Sequence, residues 1–189
     1  MRNGYFSAAL KKSINKSRNS SGTVMSNQYG TLVSSLQNGL TQNPDQGVVY
    51  FSVASRGEGG LHRTVKVREF EVDVDEPPSL GGHDKAANPV EFALVALATC
   101  QEISYHLHAA ALGIPLNDVS VQLRGSLDLR GFFATDPTVR PGFQDIQGSV
   151  KFDSSASHEQ LAALKESVDR HCPVLDLFRH PTPVNIVAA

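Results

Sequence analysis

Apolar and polar residues alternate over much of Thr64–Asp75 (TVKVREFEVDVD), with Val65 and Val67 in one phase and Phe70, Val72 and Val74 in another. A period of two places each set on one face of a strand. The break in phase at Arg68–Glu69 predicts a turn, so the segment reads as a half-buried strand pair, ended by Pro77-Pro78. Val48–Ala54 has strand composition, and RGEGG at 56–60 is a turn. Val119–Gly131 and Phe143–Asp153 alternate over most of their lengths and predict two further strands. The loop between them holds Pro137, Pro141 and Gly142. TPVNIVA at 182–188 has the make-up of a final strand.

Two segments follow helical spacing. Asn88 suits an N-cap, Pro89 the first helical position, and Glu91 the N3 position from which a carboxylate reaches back to the cap N–H. Gly113 and Pro115 stop that helix. It runs about 24 residues, or ~36 Å. From Phe92 to Ala98 it is apolar on every side, which predicts burial within the structure. Ser157 caps a second helix with Gln160 as capping-box partner, Leu161, Leu164 and Val168 on the buried face, and Cys172-Pro173 at the end. The order is strands, long helix, strands, helix, strand. That is an α+β arrangement, with no repeating βαβ unit.

Residues 19–47 are rich in Ser, Asn, Gln, Gly and Thr. They read as a linker with one short element at Leu32–Leu40. The first 44 residues carry five Lys/Arg and no acid. Residues 1–47 are thus a basic arm or linker with no acid before Asp45, and 48–189 one domain. Tyr5, Phe6, Ala9 and Leu10 form an apolar helical stripe that needs something to pack on. The arm is either an appended segment on a cytoplasmic protein or, over 1–24, an organelle transit peptide; an overlong start, with Met25 the true initiator, is a further reading. The formal charge of −2 gives no sign of a nucleic-acid partner, and no run approaches the ~18 apolar residues of a membrane span.

The chain has two cysteines, Cys100 inside the apolar run FALVALATCQEIS and Cys172 just before Pro173. They are either core filler or the two halves of a redox couple. Cys100 sits ~18 Å into its helix, beyond reach of the helix dipole, and burial disfavours its thiolate. It becomes reactive near neutral pH only if a cation approaches from elsewhere. Cys172 suits the N-cap of a fresh turn, where N–H groups face the sulfur; the plainer reading is a residue at a helix-to-loop junction. His106 and His108 are two apart, a poor metal pair, and no spacing supports zinc. No cofactor motif is present.

DEPPSLGGHDKAANPVEFALVALATC, AAALGIPL, GSLDLRG and HCPV…TPVNIVA together resemble the OsmC/Ohr family of osmotically inducible and organic-hydroperoxide-resistance proteins, in its OsmC-like branch. The resemblance covers about Val48 to the C-terminus. It implies a swapped α+β homodimer, with long central helices packed against antiparallel β-sheets. It implies a thiol-dependent peroxidase for organic hydroperoxides, with Cys100 peroxidatic, Cys172 resolving through a Cys100–Cys172 disulfide, and an external dithiol as reductant. It also implies an Arg and a Glu beside the reactive sulfur. Arg56 is the best match for that Arg, with Arg63 the alternative. Glu91 is either the family's Glu or only the helix cap, since Val90 separates it from Asn-Pro and its nine-residue offset puts it on the opposite helix face from Cys100. The rival reading is an OsmC-like protein that binds a hydrophobic small molecule in the dimer groove with its thiols incidental. A third is a partner-binding protein that uses the arm.

Overall fold

The computed structural model describes residues 22–57 and 59–188, with side chains from Tyr29 onward. The basic arm and its Tyr5–Leu10 stripe lie outside the described residues. The elements are α1 (Gly22–Gln42), β1 (Ala54–Arg56), β2 (Arg63–Val67), β3 (Phe70–Val74), α2 (Pro89–Leu112), β4 (Asp118–Leu127), α3 (Leu129–Phe132), β5 (Phe143–Asp153), α4 (His158–His171) and α5 (Pro173–Arg179). The predicted linker is instead the 21-residue helix α1, laid along α2. Tyr29, Leu32, Val33, Leu36 and Leu40 recur at helical spacing, a signal that the polar composition had outweighed.

The strands form two antiparallel sheets, β1-β2-β3 and β4-β5. In the first, the hairpin of β2 and β3 closes through Arg68–Glu69, with Val67 opposite Phe70 and Arg68 at positive φ. That is the turn expected from the phase break. In the second, β4 turns Val119, Val121, Leu123, Gly125 and Leu127 inward at period two. A register shift at Ser126/Leu127 brings Phe143 onto the same face. The predicted strand through Gly131 ends at Leu127, because Asp128 caps the short helix α3 by accepting the Arg130 N–H.

The long helix has the predicted bounds. Asn88 and Glu91 form a reciprocal capping box, and Gly113, in the left-handed region, closes the C-terminus. The predicted burial on all sides is not found. Leu97, Gln101, Ser104, Tyr105 and Ala109 are buried against the rest of the chain, while Val95 and Ile103 face outward. The core lies where α2, α4 and the β4-β5 sheet meet. It comprises Tyr105, Ala109, Ile114, Leu116, Val119, Leu164, Val168 and Cys172.

Two predicted strands are largely unpaired. Of Val48–Ala54 only Ala54 is in a strand, opposite Lys66 in the β1-β2 pair; 48–53 is not a strand and is exposed, with Tyr50 and Phe51 each 92% accessible. Residues 182–188 form no strand, and Val184, Ile186 and Val187 are exposed. The β1-β2-β3 sheet makes no substantial packing contact with any helix or with the second sheet among the described residues.

A buried carboxylate that the sequence reading missed organises the loop between β3 and α2. Asp75 is 1% exposed and accepts three backbone N–H groups, from Glu76 at 2.9 Å, His83 at 3.1 Å and Lys85 at 3.2 Å. Burial pushes this carboxyl up, but the three N–H groups and the nearby His83 outweigh it and hold it below the ordinary value. Gly82 in the same loop lies so close to the Glu76 carbonyl that no Cβ fits. The loop is thus tied together from within by one carboxylate. Among the described residues no helix is long and apolar enough to cross a membrane.

Candidate functional site

α2 and α4 pack side by side, and their contact brings the two cysteines together. The sulfurs of Cys172 and Cys100 are 3.4 Å apart, within hydrogen-bond reach. Closure to a disulfide would take a movement of only about 1.4 Å, from contact to bond length. Cys172 is 2% exposed and Cys100 half-buried. The sulfur that meets solvent is therefore on the long helix, and the one behind it is sealed in the core.

Cys172 ends α4 and begins α5. Its N–H donates to the Val168 carbonyl at 2.9 Å, and its carbonyl accepts from Asp176 at 3.0 Å. The junction fits the Cys-Pro reading, with Cys172 at the N-cap and Pro173 at the first helical position. One detail differs. Cys172 makes no side-chain cap hydrogen bond; the Val174 N–H of that turn points at the Cys100 sulfur instead. The amide expected to serve one thiol serves its neighbour, because α5 turns across the face of α2.

Burial pushes the Cys100 thiol above its ordinary value. The Val174 N–H pulls the other way, the Cys172 thiol adds to the rise, and the Ser104 hydroxyl lowers it. The net direction is up, so the chain by itself holds Cys100 as a thiol. Ser104, one turn on from Cys100, and the Val174 amide are the two contacts that sequence reasoning missed. The i+4 spacing of Ser104 was visible; the Val174 contact depends on how α5 docks.

Behind the thiols, Tyr105 packs edge-on to Phe152 at 5.0 Å. Burial, with the negative charge of Asp169 nearby, raises its phenol to about 12, so it stays protonated near neutrality. The rings of His108 and His171 stack 5.4 Å apart and both are held by Ser167, His108 through the hydroxyl at 2.8 Å and His171 by donating to the carbonyl at 2.7 Å. Burial and the neighbouring His171 lower the His108 imidazole.

Arg56, Arg63 and Glu91 are not brought to the sulfurs within the single chain. Arg56 sits on β1 and is exposed. Arg63 donates to the carbonyls of Gly60 at 2.9 Å and His62 at 2.8 Å, which ties it to its own turn. Glu91 is engaged in the capping box, accepting the Asn88 N–H at 2.9 Å.

The family model for OsmC-like proteins matches residues 82–187, which spans α2, both thiols and the C-terminal segment. The chain belongs to the OsmC-like family. Solved structures of similar fold include an OsmC-like protein from Mycoplasma pneumoniae at 20% identity, with 70% of this chain and 89% of that one covered and a TM-score of 0.59. An organic hydroperoxide resistance protein OsmC from Legionella pneumophila has 22% identity, coverage of 70% and 91%, and a TM-score of 0.55. An OsmC-like protein of unknown function from Vibrio cholerae has 12% identity, coverage of 69% and 94%, and a TM-score of 0.57. At such identities the likeness is one of fold. No curated protein matches the chain. The OsmC-like α+β fold with antiparallel sheets is thus the fold expected from the sequence, and α1 precedes the matched region.

Proposed function

We propose that this OsmC-like protein is a thiol-dependent peroxidase for organic hydroperoxides. The observation that carries the reading is the pair of sulfurs 3.4 Å apart, one half-exposed on a long helix and one buried at a helix junction. The Cys100 thiolate attacks the terminal peroxide oxygen. The S–O bond forms as the O–O bond breaks, and the alkoxide leaves and takes a proton. Cys172 then attacks the sulfenic sulfur and releases water, and an external dithiol reduces the resulting disulfide.

The chemistry requires a cation that the chain does not place at Cys100. Nine hydrophobic side chains are buried and 21 large ones exposed among the described residues. So large an apolar exposure marks a surface awaiting a partner. OsmC/Ohr proteins are typically homodimers. A second copy would pair with the exposed segments at 48–53 and 182–188 and cover the Val95/Ile103 face of α2. The β1-β2-β3 sheet, unpacked in its own chain, would then swing the partner subunit's Arg56 over Cys100. There it holds the thiolate and stabilises the departing alkoxide. Glu91 acts at the helix cap and positions α2.

Mass spectrometry after one equivalent of cumene hydroperoxide tests the reading. The expected product has lost two hydrogens and yields a Cys100–Cys172 crosslinked peptide. An unchanged mass, or oxidation at Cys172 alone, rejects it. Arg56→Ala is expected to leave a protein in which burial governs Cys100, so that its thiolate forms only at higher pH. The rate constant with peroxide at pH 7 falls by roughly tenfold for each pKa unit of that rise and recovers as pH is raised through the thiol's pKa. An unaltered pH profile removes Arg56 from the site.

A further inference from the structure

Ser167 joins two imidazoles across the seam of α2 and α4. His108 of α2 meets its hydroxyl at 2.8 Å, and His171 of α4 meets its carbonyl at 2.7 Å, each through Nδ1. A carbonyl only accepts, so the His171 Nδ1 holds a proton in either charge state of the ring. The two rings stack 5.4 Å apart at 28°. His108 is half-buried and His171 exposed.

The stack sits where the thiols are most easily parted. His171 is the last residue of α4, and Cys172 follows it. The final turn of a helix is its weakest, since its carbonyls lack intrahelical donors. Val168 in the core and the His108–Ser167–His171 contact fix that turn to α2. Eight residues, about 12 Å of helix, separate His108 from Cys100. One edge of the seam is therefore held by two rings, and the sulfurs meet farther along it at 3.4 Å.

Among the described residues the charged groups around the pair are already engaged. On α4, Asp169 pairs with Lys165 at 2.6 Å and Glu166 with Arg170, while His158 and Glu159 lie at the far end of the helix. On α2, Glu102 accepts the Val121 N–H at 2.8 Å. On β4, Asp118 lies 4.0 Å from His106, and Arg124 is on the strand's outward face. On α5, Asp176 pairs with His180 at 2.7 Å, and Arg179 donates to the Asp169 carbonyl at 3.1 Å. α1, which also packs on α2, contains no charged residue, and Tyr29 is its one titratable group. A proton arriving on one imidazole therefore faces chiefly the other. Burial and the neighbouring His171 hold the His108 imidazole below its ordinary value of 6.5. An opened seam removes both causes and lets His108 take its proton at the higher value. Between the two values the open form binds more protons, so a fall in pH through 6.5 favours opening.

We propose that the His108–His171 stack, clasped by Ser167, is a proton-operated latch on the thiol pair. Uncharged, it seats the last turn of α4 and keeps Cys172 on Cys100. Charged, the rings part, and the turn draws Cys172 away from the Cys100 sulfur. The consequence for turnover rests on the peroxidase reading: in acid the Cys100 sulfenic acid forms and waits, because its resolving thiol is out of reach. The opening itself does not depend on that reading.

The test uses the full chain in its native oligomer. In Cys100→Ser, Cys172 is the only thiol, and an organomercurial captures thiols in acid as well as at neutrality. Capture of Cys172 is expected to quicken about fivefold or more from about pH 7.5 to about pH 5.5, the range in which imidazoles titrate. His108→Phe keeps a flat ring in the stack with no titrating nitrogen, and its capture stays slow at both. A second measurement needs no variant. Nuclear magnetic resonance follows the His108 ring protons of the wild type, reduced and after diamide has closed the Cys100–Cys172 bond. The crosslink holds the seam shut, so by linkage His108 takes its proton at lower pH in the oxidised form. A merely structural stack titrates alike in both forms. The proposal is overturned by a flat capture rate in the folded protein, by a step that persists in His108→Phe, by a step that coincides with dissociation of the oligomer, or by equal His108 titration in the two redox forms. A missing crosslink after cumene hydroperoxide rejects the peroxidase reading alone, since neither measurement uses peroxide.

Discussion

Cys100→Ser is expected to lower the turnover of cumene hydroperoxide with a dithiol by at least ~10³-fold, because a serine hydroxyl cannot replace a thiolate as the atom that takes the peroxide oxygen. Cys172→Ser should behave differently. The 3.4 Å contact then offers no second sulfur, so Cys100 gains one oxygen and stops, unless small thiols reach it from solvent. The half-exposure of Cys100 permits that rescue, whereas the 2% exposure of Cys172 forbids the reverse arrangement. The pair of variants assigns the roles: one equivalent of peroxide consumed by Cys172→Ser and none by Cys100→Ser. Equal consumption by both would overturn the assignment.

Leu164→Ala is expected to have the largest effect on stability. Leu164 and Val168 are fully inaccessible, and with Cys172 they form a single stripe at four-residue spacing on α4, all within the core cluster. Truncation removes the buried methyl groups and leaves a cavity that helices on two sides cannot fully close, a cost of about 2–5 kcal/mol. For a chain of this size each kcal/mol is worth roughly 2–4 °C in melting temperature. The same stripe seats Cys172 against Cys100, so disulfide closure after a peroxide pulse should also slow. Quenched-flow sampling of the crosslink measures that effect. An unchanged melting temperature would show that the contact of α2 and α4 is not what holds the thiols.

The helices' ends were legible because their signals are local. The capping boxes at Asn88/Glu91 and Ser157/Gln160, the Pro at N1 of α2 and α5, and the glycine after Leu112 each act within one turn. The Arg68–Glu69 hairpin was legible for the same reason. The misreadings share a different cause. Val48–Val53 and residues 182–188 have strand composition but find no neighbouring strand in their own chain. α1 was missed because its polar residues hid an apolar spacing that matters only once it lies on α2. Phe92–Ala98 is apolar all round, yet Val95 on one face of α2 is exposed in the single chain.

The sequence by itself determined which residues are the two thiols, which helices carry them and where those helices begin and end, because caps, prolines and hydrophobic period are properties of neighbours along the chain. Only the tertiary structure decided that the sulfurs meet, that the Val174 amide serves Cys100, that Asp75 ties down a loop, and that Arg56 lies on a sheet apart. Contacts between residues seventy positions apart depend on how helices dock, and docking is set by the shape of the packed core.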